Sequence, residues 1–146
     1  MKVLWVEDHE PVRNMLAIAA DKAARSRIQV DLVLAETLLE AEQRVRLERF
    51  DLVVLDLILP DSHDGEMTIA RMANMGDFRL AVVSSSETRE DAVAGALRFG
   101  CNIAPEAICK SKLPFNRFIQ RPADFETFLL NFMSDASEQG GTIRAA

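Results

Sequence analysis

Short apolar runs rich in β-branched residues recur along the chain, separated by longer stretches whose apolar positions repeat at helical spacing. The runs predict five strands, over Lys2 to Glu7, Ile28 to Ala35, Asp51 to Leu57, Leu80 to Ser84 and Ala107 to Lys110. The stretches between and after them predict five helices, over Pro11 to Ala24, Leu38 to Glu48, Glu66 to Met75, Arg89 to Phe99 and Ala123 to Phe132. Val3-Leu4-Trp5-Val6 and Leu52-Val53-Val54-Leu55 show no polar alternation, as expected of central strands covered on both faces. Helix boundaries carry their own chemistry. Thr37 with Glu40 three residues on is a capping-box pattern, Pro11 suits a first helical turn, and Gly100 sits where a left-handed cap is wanted. Strand and helix in strict alternation predict an α/β fold, a parallel sheet flanked by helices on both faces. Its functional crevice is expected at the carboxyl ends of the strands.

Composition narrows the picture without changing it. The chain has 146 residues, 49% of them hydrophobic, which suits one domain, assigned to residues 1–133. Residues 134–146, with Ser-Glu-Gln-Gly-Gly-Thr, lose apolar periodicity and are expected to be a disordered tail or the start of a linker. A net charge of −6 argues against a sequence-independent grip on nucleic acid, which depends on Lys and Arg against phosphates. No segment reads as a signal peptide or a membrane span. Cys101 and Cys109 form no CxxC pair, so a disulfide framework or zinc site is not expected and a reducing, cytoplasmic setting is.

The chemistry collects at the predicted strand ends. Strand one ends in Glu7-Asp8, strand three delivers Asp56 between Leu55 and Leu57, strand four ends in Ser84-Ser85-Ser86, and strand five ends at Cys109-Lys110-Ser111. Three carboxylates at one sheet edge repel one another and call for a cation. A hard divalent ion with oxygen ligands fits, magnesium or manganese, because such an ion takes a few carboxylates together with a phosphate oxygen. A lysine and a hydroxyl opposite the acids suit the other oxygens of a transferring phosphoryl group. A purely structural Asp56 would leave a charge in an apolar strand at high cost. His9 and His63 have no convergent ligand pattern and read as exposed loop residues, whereas Trp5, Met67, Met72 and Met75 read as core. No base is visible to activate Cys109, so it reads as a small packed hydrophobe.

In this order and spacing the motifs resemble those of the response-regulator receiver family, over roughly Lys2 to Phe132. The most specific piece is Asp51-Leu52-Val53-Val54-Leu55-Asp56-Leu57-Ile58-Leu59-Pro60 followed by Asp64-Gly65, similar to the family's phosphoacceptor strand and loop. The resemblance implies a flavodoxin-like strand order, 2-1-3-4-5. It implies Asp56 as phosphoacceptor, a metal held by Glu7, Asp8, Asp56 and the backbone carbonyl of Ile58, and Lys110 on the phosphoryl group. The switch hydroxyl is Ser85 if the sequence is counted back from Gly100 without a gap, or Ser84 if Ser-Ser-Ser-Glu is a local motif. The ungapped count is preferred because it keeps the following helix in register.

The implied function is a two-component phosphorylation switch. It is charged by a histidine kinase or histidine phosphotransfer protein and read by a downstream protein or effector domain, with a phosphorylation-dependent homodimer as one form of output. Such a domain catalyses only its own phosphoryl transfer and is not classed as an enzyme. Three departures stand out. The loop Leu59 to Gly65 is one residue longer than the family's common form, the segment Cys101 to Ala107 is also longer, and Ala107 stands where many relatives have an aromatic three residues before the lysine. Rival readings are a haloacid-dehalogenase-like phosphatase and a non-phosphorylated module of receiver fold. The first needs an acid where Ile58 stands, and the intact set of acids, hydroxyl and lysine speaks against the second.

Overall fold

The computed structural model describes residues 1–134. The elements run β1 (Lys2–Val6), α1 (Glu10–Arg25), β2 (Asp31–Ala35), α2 (Leu38–Leu47), β3 (Leu52–Leu55), α3 (Gly65–Ala73), β4 (Arg79–Ser84), α4 (Arg89–Arg98), β5 (Ile108–Cys109), a short 3-10 turn (Lys110–Lys112), α5 (Phe115–Gln120) and α6 (Pro122–Phe132). The strands are parallel in the order β2-β1-β3-β4-β5, as the resemblance implied.

The unbroken apolar strands have the two covered faces expected of them. In β1 and β3, Leu4, Val6, Val53 and Leu55 enter one core layer while Val3, Trp5, Leu52 and Val54 enter the other. The first layer lies under α2, α3 and α4, with Leu38, Ile69, Met72 and Val93. The second lies under α1, α5 and α6 and is largely aromatic: Phe118 packs against Phe125 and Phe128 at centroid distances of 5.1 and 5.0 Å, and Trp5 stacks on Phe128. Met72 is buried and Met75 packs against the core, but Met67 is 65% exposed on the outer face of α3 and is no core residue.

Three local differences from the periodicity have physical causes, while the left-handed cap at Gly100 forms as expected. Strand β2 begins at Asp31 because Ser26 to Ile28 close α1 instead: Arg27 takes φ 61°, and the Ile28 N–H donates to the Ala23 carbonyl, which is a Schellman cap. Gly100, at φ 78°, performs the corresponding turn after α4 without a side-chain penalty. Helix α5 was not expected. Pro122 holds Arg121 out of helical geometry, so the C-terminal helical region is two helices joined at that residue. Strand five is shorter than predicted and split. Leu80 pairs with Ile103, and the Ala104 N–H still donates to the Leu80 carbonyl, while Val83 pairs with Ile108, so five residues advance opposite three and Pro105 to Ala107 arch away from β4.

Candidate functional site

Asp56 follows the last residue of β3, and its N–H still donates to the Val6 carbonyl at 3.2 Å, so the β1–β3 ladder aims it. Its side chain is fully buried. Oδ1 accepts from the Ile58 N–H at 3.0 Å and from the Ser84 hydroxyl at 2.8 Å, while Oδ2 lies 2.8 Å from Lys110 Nζ. Glu7, one residue past β1, is also fully buried. Its Oε2 accepts from the His9 N–H and from Lys110 Nζ, each at 3.0 Å. Lys110 therefore bridges two acids from different strands. Asp8 is exposed at the rim of the same corner.

Sequence reading assigned the acids and the lysine to one place, and the fold brings them there. The serine is different. Ser84 is fully buried against Asp56, and its Oγ also accepts from the Leu57 N–H at 3.3 Å and the Ser86 N–H at 3.1 Å, whereas Ser85 is exposed. The strand end at Ser84 and the helix start at Arg89 both lie where the sequence places them, so the loop from Ser85 to Thr88 has its expected length, and the count from Gly100 that favoured Ser85 carries no information on which hydroxyl turns inward. The Ile58 side chain is 51% exposed beside the site. His9 and His63 are exposed, as expected. Cys109 does not pack as a core hydrophobe: its Sγ lies 3.2 Å from Ser111 Oγ, and that contact lowers the thiol below its ordinary pKa.

The longer loop after β3 is well anchored. Asp61 Oδ1 and Oδ2 accept from the N–H groups of Leu38 and Leu39 at 2.9 Å each, adding a second cap to α2 beside Thr37, whose Oγ1 accepts from Glu40. Asp64 caps α3 through the Met67 N–H, and the hydroxyls of Ser62 and Thr68 hydrogen-bond to each other. Gly65 begins α3 hard against Leu57; an added Cβ would lie 3.1 Å from Leu57 Cδ1.

The electrostatics suit a cation. Burial raises the Glu7 carboxyl above its usual pKa, and the nearby Asp56 charge adds to this, against the His9 N–H and Lys110, which lower it. Burial lowers the Lys110 ammonium, but its hydrogen bonds to Asp56 and Glu7 outweigh that and the net shift is upward. Carboxylate oxygens of Glu7, Asp8 and Asp56 lie within 4.8 Å of one another, and Glu7 Oε1 is buried without a hydrogen-bond partner. Three hard oxygen donors, one of them orphaned, fit a magnesium-like ion.

A family model described as response regulator receiver domain matches residues 3–103. The chain belongs to the response regulator receiver domain family, which is a signalling family. The match ends at the first pairing of strand five, so Lys110 lies beyond it. The chain is 33% identical over 105 residues to the DNA-binding transcriptional activator DevR/DosR of Mycobacterium tuberculosis, covering 70% of this chain and 45% of that protein. The receiver thus spans under half the length of that relative. Its fold is shared with a two-component response regulator from Clostridium difficile (TM-score 0.62, 18% identity, 88% of this chain and 95% of that one). It is shared also with a response regulator from Burkholderia pseudomallei whose structure holds a phosphorylated aspartic acid, a calcium ion and citrate (TM-score 0.64, 20% identity, 97% of this chain and 71% of that one).

Proposed function

We propose that this receiver accepts a phosphoryl group on Asp56 from the phosphohistidine of a histidine kinase or histidine phosphotransfer protein. The observation that carries the reading is the convergence on one buried carboxylate of Lys110, the Ser84 hydroxyl and two further acids from another strand end. A carboxylate oxygen attacks phosphorus in line, the phosphorus–nitrogen bond breaks, and its electron pair leaves with the donor imidazole. Lys110 neutralises charge on the phosphoryl oxygens and is already aimed at Oδ2. Ser84, released from Oδ1, donates its hydroxyl to a phosphoryl oxygen, the role that the ungapped count gave to Ser85. Glu7, Asp8, Asp56 and the Ile58 carbonyl would hold magnesium or manganese, which supplies positive charge at the transferring group. The domain catalyses only its own phosphoryl transfer and dephosphorylation.

In this reading residues 1–133 form one receiver unit that works in the cytoplasm, supported by two free thiols and by the lack, among the described residues, of any helix long and apolar enough to cross a membrane. The proposed tail at 134–146 lies, but for Ser134, outside the described residues. Output passes to a downstream protein or effector domain, through a homodimer where phosphorylation favours one. Incubation with acetyl phosphate and magnesium should add one phosphoryl group by intact mass, labile to hydroxylamine, and Asp56→Asn should abolish it. Undiminished labelling of Asp56→Asn would refute the assignment.

A further inference from the structure

Glu7 and Asp8 are consecutive, yet one is fully buried against Lys110 and the other is exposed at the rim. A fixed backbone is needed to present neighbouring carboxylates so differently. That backbone has a specific holder. Arg13, in the first turns of α1 and only 16% exposed, donates from Nη1 to the Glu7 carbonyl at 3.2 Å and to the Asp8 carbonyl at 2.6 Å. Its Nη2 lies 3.1 Å from Glu36 Oε1, just past β2. The guanidinium thus ties the ends of β1 and β2 to α1 around the acidic corner.

We propose that Arg13 is a positioning residue for the cation site: by gripping two successive carbonyls it fixes the peptide planes that set the directions of the Glu7 and Asp8 side chains. The inference rests on the reading of those acids as metal ligands. Arginine suits the task where lysine does not, because its planar fork reaches the carbonyls with one nitrogen and Glu36 with another, whereas an ammonium is a single point of charge. Arg13 touches backbone oxygens and takes no part as a ligand. Groups that orient ligands in this way commonly change metal affinity by about 10- to 100-fold when removed.

The test compares wild type, Arg13→Met, Arg13→Lys and Glu36→Gln by magnesium titration, followed by calorimetry and by fluorescence of Trp5, the sole tryptophan, two residues before Glu7. Melting in chelator is recorded in parallel. Arg13→Met should weaken magnesium binding about tenfold. Arg13→Lys should recover little of the loss, and Glu36→Gln should show a smaller weakening of the same sign. If Arg13→Met does not fold, Arg13→Lys and Glu36→Gln carry the comparison. A lower melting temperature with magnesium affinity within about twofold of wild type would mean that Arg13 only braces the fold, and would overturn the inference. Failure of wild type itself to bind magnesium would overturn the cation reading instead. Arg13 would then be judged without metal, by amide exchange at His9, whose N–H donates to Glu7 Oε2 at 3.0 Å. Faster exchange in Arg13→Met supports the clamp, and unchanged exchange overturns it.

Discussion

Ser84 makes three hydrogen bonds through one oxygen, donating to Asp56 Oδ1 and accepting from the N–H groups of Leu57 and Ser86. Ser84→Ala would leave two N–H groups short of a partner, one of them at a buried contact, so urea denaturation should show a loss of about 1–3 kcal/mol. Ser85→Ala, at an exposed position, should stay within about 0.5 kcal/mol of wild type. Equal effects would contradict the assignment of Ser84 as the inward hydroxyl. Glu7 gives a pH-dependent counterpart. Burial raises its folded pKa above the ordinary 4.5, so its stabilising share is complete below the unfolded value and is lost as pH rises through the raised value. Without metal, Glu7→Gln should therefore lose less stability than wild type as pH rises above the ordinary value of 4.5, measured by thermal melts in chelator. The acids and Lys110 were legible in the sequence because each sits at a strand end that the apolar runs mark. The hydroxyl was not, since three adjacent serines differ only in how a loop turns, and Arg13 was not, since its partners are backbone carbonyls that leave no residue pattern.

Elements here are fixed as much by contacts from elsewhere as by their own periodicity. The Thr37 cap of α2 could be read from sequence, but the second cap, Asp61, arrives from the loop after β3 and only the fold reveals it. Burial pushes the Asp61 carboxyl up, but the N–H groups of Leu38 and Leu39 outweigh it, so its folded pKa lies below the ordinary 3.8. Its contribution is present above the unfolded value and is lost as pH falls through the depressed one. Asp61→Ala should cost about 1 kcal/mol at neutral pH, and that difference should shrink below about pH 3 in acid melts. A difference independent of pH would show that the carboxylate charge is not what caps the helix. Arg27 offers the opposite sign: its φ of 61° is unfavourable for a side chain, so Arg27→Gly should raise stability by roughly 0.5–1 kcal/mol. The strand order followed from the resemblance, and the central strands from unbroken apolar runs. Helix α5 and the arched strand five were hidden because short elements set by Pro122 and by pairing to β4 carry little periodic signal.

At the scale of the molecule, the cation and the phosphoryl group each act by shifting an equilibrium. Magnesium that binds only the folded state at about 100 times its dissociation constant stabilises by about 2.7 kcal/mol, a rise in melting temperature on the order of 10 °C. Asp8→Asn should show almost none of that rise if Asp8 holds the ion. Phosphorylation must reach a distant surface by another route than a rotating aromatic, because Ala107 is only a small side chain packed against the first core layer. Neither nearby phenylalanine replaces it: Phe99 is 87% exposed, and Phe115 lies with Phe118 in the opposite layer. The hydrogen bonds suggest the path. If Ser84 turns from Asp56 to a phosphoryl oxygen as proposed, the Ser86 N–H, which donates to Ser84 Oγ, would lose that acceptor. Ser86 in turn holds Arg89 Nη1 through its carbonyl at 3.0 Å, at the start of α4. Further back along β4, Leu80 is hydrogen-bonded on both sides to the segment around Ile103. We therefore expect a beryllofluoride mimic of the phosphoryl group to change amide-exchange protection chiefly at Ser85 to Arg89 and Cys101 to Glu106, since a ligand moves only elements whose two states it binds differently. Ser84→Ala should uncouple the first segment while leaving beryllofluoride bound. Protection changes confined to α1 and α2, with both segments silent, would show that the signal leaves by the other side of the sheet.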